Sequence, residues 1–236
     1  NFRELREQLK EKGHVFRSTS DSEVIIRSYE EWGDRGIGKL NGMFAFAILD
    51  RRCRRLVLAR DRFGEKPLYY YREGDTLLFA SELKAIEAYP SFPRRVRHDL
   101  LSRYFTFGNI PSPDSIYQSV FKLPPAHYMV VDTESFEFSI ESYWQGMETA
   151  LGGATSTEDF ETIVSRTERD LSDSINMRLV ADVPVGAFLS GGVDSSLVVS
   201  IASRLKADLK TFSIGFKDAE HDEAPYARAI ADHLGC

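Results

Sequence analysis

Residues Leu189 to Ser196 read Leu-Ser-Gly-Gly-Val-Asp-Ser-Ser and set hydroxyls, two glycines and one carboxylate between two apolar runs. Gly191 and Gly192 lack a Cβ, so the backbone there can curl and turn several amides toward one anion, while Ser190, Ser195 and Ser196 add hydroxyl donors. An oxyanion with several acceptors suits that corner, and phosphate is the obvious candidate. Asp194 discriminates further, because a carboxylate beside bound phosphates repels them unless a cation sits between; the pattern therefore predicts Mg²⁺. The stretch is neither the Gly-rich loop ending in Gly-Lys-Ser/Thr nor the dinucleotide fingerprint. A bare strand-to-helix turn with Asp as a cap is the plainer alternative, and the full motif with its flanking runs disfavours it.

The elements around the motif are those such a corner needs. Val185 to Leu189 reads as a strand delivering the chain to the carboxyl edge of a parallel sheet, where open α/β sheets bind ligands, and Ser195 to Lys206 reads as the following helix. A helix from about Glu158 to Leu179 precedes them; a strand, Thr211 to Phe216, and a helix, about Asp222 to Leu234, follow. Strands alternating with helices imply right-handed crossovers in a parallel sheet. Two parallel strands alone leave faces and edges uncovered, so the remainder of this domain is expected beyond Cys236.

The first half reads differently. Phe2, Leu5 and Leu9 share a helical face ended by Gly13, and Ser20 with Glu23 forms a capping box for a helix starting near Asp21. Runs at "GMFAFAILD", "RLVLARD", "KPLYYYRE" and "TLLFAS" predict four consecutive antiparallel strands, with Gly74-Asp75 at a hairpin tip. Helices follow at Ser81 to Tyr89 and His98 to Phe105, then a hairpin through "HYMVVDTESFEFSIESYW". Helices on both sides of a run of strands suggest helical layers on a sheet sandwich. Gly146 to Thr157 turns to Gly, Ala, Ser and Thr and reads as a linker, giving domains 1–145 and 146–236.

Composition bounds the function. The 236 residues are 42% hydrophobic and 28% charged, with a formal net charge of -6, which argues against a nucleic-acid partner because phosphate backbones need a basic face. Arg51, Arg52, Arg54, Arg55 and Arg94, Arg95, Arg97 read as solvated turns. Two cysteines, Cys53 and Cys236, are too few for a disulfide framework and point to a reducing cytoplasm. No apolar stretch approaches a membrane span and no secretory leader is visible. The first residue is Asn1 and the last, Cys236, directly follows a helix-ending glycine, so a segment of a longer protein is expected.

The "LSGGVDSS" stretch resembles the pyrophosphate loop of the adenylating ATP pyrophosphatases. Upstream, "NGMFAFAILD", "LARDRFGEKPLYYY", "FASELKAI" and "KLPPAHY" are similar, in the same order, to glutamine-hydrolysing asparagine synthetases. The resemblance covers nearly the whole chain. It implies an N-terminal-nucleophile glutaminase αββα sandwich, incomplete here, followed by the start of an ATP-pyrophosphatase parallel-sheet domain. It further implies a ligase using glutamine, aspartate, ATP and Mg²⁺, with no nucleic-acid or membrane partner and with a homodimer as a compatible assembly.

Carried over residue by residue, the resemblance gives Asp21 the α-amino group of glutamine and Leu189 and Ile214 the adenosine part of ATP. It gives Ser190, Gly191, Gly192, Asp194, Ser195 and Ser196 the pyrophosphate, with the metal expected on Asp194. Arg60, Asp61, Gly64, Lys66 and Pro67 match a segment shared among glutamine amidotransferases, explained as a turn with an internal Arg to Asp pair. The family's nucleophilic N-terminal cysteine has no counterpart, since Asn1 and Phe2 match the tail of a later motif; no catalytic residue is expected within the fragment. Two other readings stay open: a relative amidating another carboxylate or closing a β-lactam, and a non-catalytic ATP-binding protein.

Overall fold

The computed structural model describes residues 1–152, 157–218, 220 and 222–236. Its first two helices, α1 (Phe2–Glu11) and α2 (Asp21–Trp32), close over Leu5, Leu9 and Val24. Ser20 caps α2 by accepting the N–H of Ser22 at 3.1 Å, but the expected reciprocal box does not close. Glu23 turns outward instead and takes the N–H groups of Arg17 and Ser18, because the chain enters α2 through a tight bend whose amides face that carboxylate. A 3-10 segment, Gly33–Lys39, continues from α2.

Period-two patterning sorts the strands into two sheets. One has the order β1 (Ala45–Asp50), β2 (Arg55–Arg60), β6 (His127–Asp132), β7 (Phe138–Ser142); the other is β4 (Thr76–Ala80), β3 (Tyr69–Glu73), β5 (Val120–Lys122). All their pairings are antiparallel. The four-strand run is thus two hairpins in different sheets: β2 pairs with β6, not β3, and the two sheets lie face to face. Leu56 and Leu58 of β2 and Met129 and Val131 of β6 meet Tyr70, Leu77 and Phe121 of the second sheet. Alternate residues point away: Val57, Ala59, Tyr128 and Val130 pack with Tyr29 and Ile37 on one outer side. On the other, Tyr69, Tyr71, Leu78 and Val120 pack with Leu83 and Ile86 of α3 (Leu83–Glu87). Helix, sheet, sheet, helix is the αββα order, with a largely aliphatic interface between the two sheets and aromatic-rich ones on both outer faces.

The predicted helix at His98 begins as a 3-10 turn and becomes α4 (Leu101–Phe107). Gly146–Gly152, expected within a linker, forms the short helix α5, while residues 153–156 of that linker lie outside the described residues. The chain divides into the units Asn1–Ala154 and Thr155–Cys236.

In the second unit, α6 (Phe160–Arg178), β8 (Gly186–Phe188), α7 (Val193–Leu205), β9 (Lys210–Phe212) and α8 (Ala224–Leu234) follow in order. β8 and β9 pair in parallel. Ile175, Leu189, Val199, Ile201, Leu209 and Ala227 form their shared core. The opposite side of this small sheet is open: Phe188 and Phe212, partners in register, are 82% and 55% exposed. Among the described residues no helix is long and apolar enough to cross a membrane.

Candidate functional site

Strand β8 and its extension hand the chain to α7 through the Ser-Gly-Gly corner. Leu189 donates its N–H to Phe212 O at 2.9 Å and accepts from the Ser213 hydroxyl at 2.6 Å, so its backbone is held and its side chain sits in the core. Gly191 has φ +85°, the left-handed region that favours glycine, and a Cβ there would lie 2.7 Å from Tyr226 Cβ and 2.9 Å from Ala227 N. Both the torsion and the packing of α8 therefore require glycine at this position.

The hydroxyls of the corner are wired together. Ser190 Oγ lies 3.0 Å from Ser195 Oγ and accepts the Gly192 N–H at 3.3 Å. Ser196 Oγ donates to Gly192 O at 2.6 Å, and the Ser196 N–H reaches the same carbonyl at 3.0 Å. That last bond opens the α7 ladder, and Gly192 caps the helix without a side chain. The N–H groups of Val193, Asp194 and Ser195 then have no carbonyl one turn back, and the positive end of the helix dipole faces the same volume. Asp194 stands exposed in this first turn.

Ile214 departs from expectation. The strand ends at Phe212, two residues earlier, so Ile214 lies past β9 rather than within it and is 70% exposed. Continuing the register of Phe188 with Phe212 places Ile214 beside Ser190 at the carboxyl edge. The corner thus gathers Ser190 to Ser196 and Ile214 on the surface, with Leu189 beneath them.

In the first unit, Asp21 is the first residue of α2 and exposed, 3.4 Å from the hydroxyls of Ser20 and Ser22. The bend before it is clamped twice. Arg6 donates to the carbonyls of Ser18 (2.6 Å) and Ser20 (2.9 Å) while stacking on Phe16; Glu23 takes two amides and the Ser18 hydroxyl. The Ser18 hydroxyl and the Arg17 N–H hold the Glu23 carboxyl at a pKa of about 2. Neither clamp was visible as a sequence pattern, since Arg6 sits twelve residues from its nearer carbonyl partner.

The Arg60–Pro67 segment is not built on an Arg to Asp pair. Arg60 donates to the carbonyls of Lys66 (2.9 Å), Leu123 (2.7 Å) and Gly64 (2.7 Å). Asp61, 1% exposed, accepts the N–H groups of Phe44, Phe63, Glu65 and Lys66 at 2.9 to 3.3 Å. Each charge is satisfied by backbone in its own direction, because the turn folds between them with its amides on one side and its carbonyls on the other. Burial lowers the Arg60 pKa.

A family model described as a glutamine amidotransferase domain matches residues 1–144, and one described as asparagine synthase matches residues 166–236. The chain belongs to the asparagine-synthetase-like glutamine amidotransferase family. Asparagine synthetase (glutamine-hydrolyzing) 3 of Bacillus subtilis strain 168 is 35% identical over 251 residues, covering 100% of this chain and 40% of that protein. Asparagine synthetase (glutamine-hydrolyzing) 1 of the same strain is 35% identical over 235 residues, covering 100% of this chain and 36% of its own length. The chain therefore spans about two fifths of the curated relatives it matches. Among solved structures, glutamine phosphoribosylpyrophosphate amidotransferase from B. subtilis, complexed with ADP and GMP, aligns with a TM-score of 0.42 at 17% identity. It covers 91% of this chain and 44% of that one, a likeness too weak to bear on the fold.

The corner of this asparagine-synthetase-like chain fits a polyphosphate on its own geometry: first-turn amides, hydroxyls and a left-handed glycine converge on one volume. Among the described residues no group of three or more His, Cys, Asp or Glu could hold a metal by itself. Asp194 is a single carboxylate, which suits an ion carried in on phosphate oxygens and not a preformed protein cage.

Proposed function

We propose that this protein acts as a glutamine-dependent asparagine synthetase, an ATP-dependent carbon–nitrogen ligase. Ammonia from glutamine is transferred to aspartate activated as β-aspartyl-AMP, and AMP and pyrophosphate are released. A free carboxylate is a poor acyl donor, and adenylation gives it a good leaving group. Asp194 would hold a Mg²⁺ ion, which would supply charge neutralisation to the pyrophosphate.

The residues of this chain divide the work. Ser190, Gly191, Gly192, Ser195 and Ser196 bind and orient the pyrophosphate with amides and hydroxyls, and Asp194 binds the metal. Ile214 offers an apolar side chain to the adenosine, while Leu189 shapes the floor of that site from within the core. Asp21 pairs with the α-amino group of glutamine, presented by the doubly clamped bend. A cytoplasmic setting follows from this chemistry and from the two exposed free thiols.

The observation that carries the reading is Gly191, held left-handed against α8 two residues before the first of three free helix amides. The test is product analysis by phosphorus NMR of the intact protein with glutamine, aspartate and MgATP. AMP and pyrophosphate are expected; ADP and inorganic phosphate would exclude adenylation, and turnover only with another acid would reassign the acceptor.

A further inference from the structure

The outer face of the second sheet in the first unit carries a cavity of about 450 Å³. Tyr69 and Lys122 form its sheet wall, Leu83 comes from α3, Leu101 and Tyr104 from α4, and Ile116 from the segment that returns to β5. Alternation along β5 explains the lysine: Phe121 points inward between the sheets, so Val120 and Lys122 point outward, with Lys122 opposite Tyr69 in register. A volume in the range of small-molecule sites and a wall dominated by apolar side chains are the usual features of a ligand pocket.

Charge makes the cavity specific. The Lys122 ammonium donates to Ile110 O, and no ion pair engages it among the described residues. Asp114 is the carboxylate that acts on it electrostatically, and Asp114 is already held by Arg97 at 2.8 Å and Arg103 at 3.3 Å. Arg60, the cation acting on Lys122, repels it and spends its own donors on the carbonyls of Lys66, Leu123 and Gly64. Burial and then Arg60 pull the lysine below its ordinary range. A cation in apolar surroundings whose one neighbouring carboxylate is already engaged by two arginines is costly, and a bound anion removes the cost.

We propose that this cavity binds a small monocarboxylate with an apolar body, its carboxylate on the Lys122 ammonium and its body against Leu83, Leu101 and Tyr104. One uncompensated positive charge matches a monoanion. A phosphate dianion would leave charge unmatched in the same apolar walls.

Phenylbutyrate is the probe, titrated into the protein by calorimetry, with phenylbutanamide as the neutral comparison. Saturable binding to one site is expected, weakened about tenfold or more by Lys122→Met and by the change from acid to amide. Leu101→Trp, which keeps the lysine and narrows the cavity, is expected to abolish binding while heat unfolding stays close to that of the parent. The proposal is overturned if the acid fails to saturate, if the amide binds equally well, or if either variant binds the acid as the parent does. Should Lys122→Met fail to fold, Leu101→Trp and the amide decide the outcome between them.

Discussion

Glu23 accepts both the backbone N–H and the side-chain hydroxyl of Ser18, each at 2.7 Å. One carboxylate thereby fixes the bend that presents Asp21, and its protonation is the natural way to release it. Its pKa is lowered to about 2 from an ordinary 4.5, first by the Ser18 hydroxyl and then by the Arg17 N–H. A carboxyl depressed in the folded state contributes fully above its unfolded pKa, and that contribution is lost as pH falls from about 4.5 through about 2. Glu23→Gln should therefore flatten the fall of stability with acid across that window. Urea unfolding of both proteins at several pH values checks it, and parallel curves would show that the clamp does not stabilise the fold.

Asp61 gathers four backbone N–H groups from its own turn and from Phe44. Asp61→Asn keeps the shape but offers one acceptor oxygen and turns an NH₂ toward donors. The loss should be about 2 to 4 kcal/mol, read as a lower denaturation midpoint for the first unit. A change smaller than the error of the measurement would mean that the turn is held by Arg60 alone.

Gly191→Ala forces a Cβ into the contact with Tyr226 and a side chain into the left-handed region. The second unit should lose about 1 to 3 kcal/mol, and the stabilisation that MgATP gives to the melting temperature should disappear. Gly192→Ala, which also touches the proposed pyrophosphate site, is the comparison for stability alone: its nearest neighbour to an added Cβ is Ser190 Oγ at 3.4 Å, an ordinary contact. Equal effects of the two substitutions on stability would contradict the role assigned to the left-handed residue.

Asp194→Ala removes the only carboxylate in the first turn of α7. Pyrophosphate release by the intact protein should fall about 100-fold or more, as expected for loss of a metal-bridging group, while glutamine hydrolysis continues. Coupled assays for pyrophosphate and for glutamate separate the two activities, and equal loss of both would contradict separate sites.

Much of this architecture can be read from residue order because the signals are local. Period-two runs mark β1 to β4, β6 and β7, and the Gly-Gly corner marks the turn between β8 and α7. β5 escapes because Val120–Lys122 is too short to display a period, and the returning segment before it has no regular structure to announce a strand. Partner choice escapes for another reason: β2 selects β6 some seventy residues later, a preference written in which face each leucine and valine covers rather than in any one stretch. The contact of Tyr226 with Gly191 spans some thirty-five residues, so a glycine legible as a loop residue becomes legible as obligatory only when α8 is in place.

The exchange of partners between the two sheets has a consequence for biosynthesis. A nascent chain that has extruded β1 to β4 holds two hairpins whose inner edges must wait for β5 and β6. Bare strand edges invite pairing with neighbouring chains. Until residues 120–132 leave the ribosome, the half-made sandwich is the form that a chaperone must shelter.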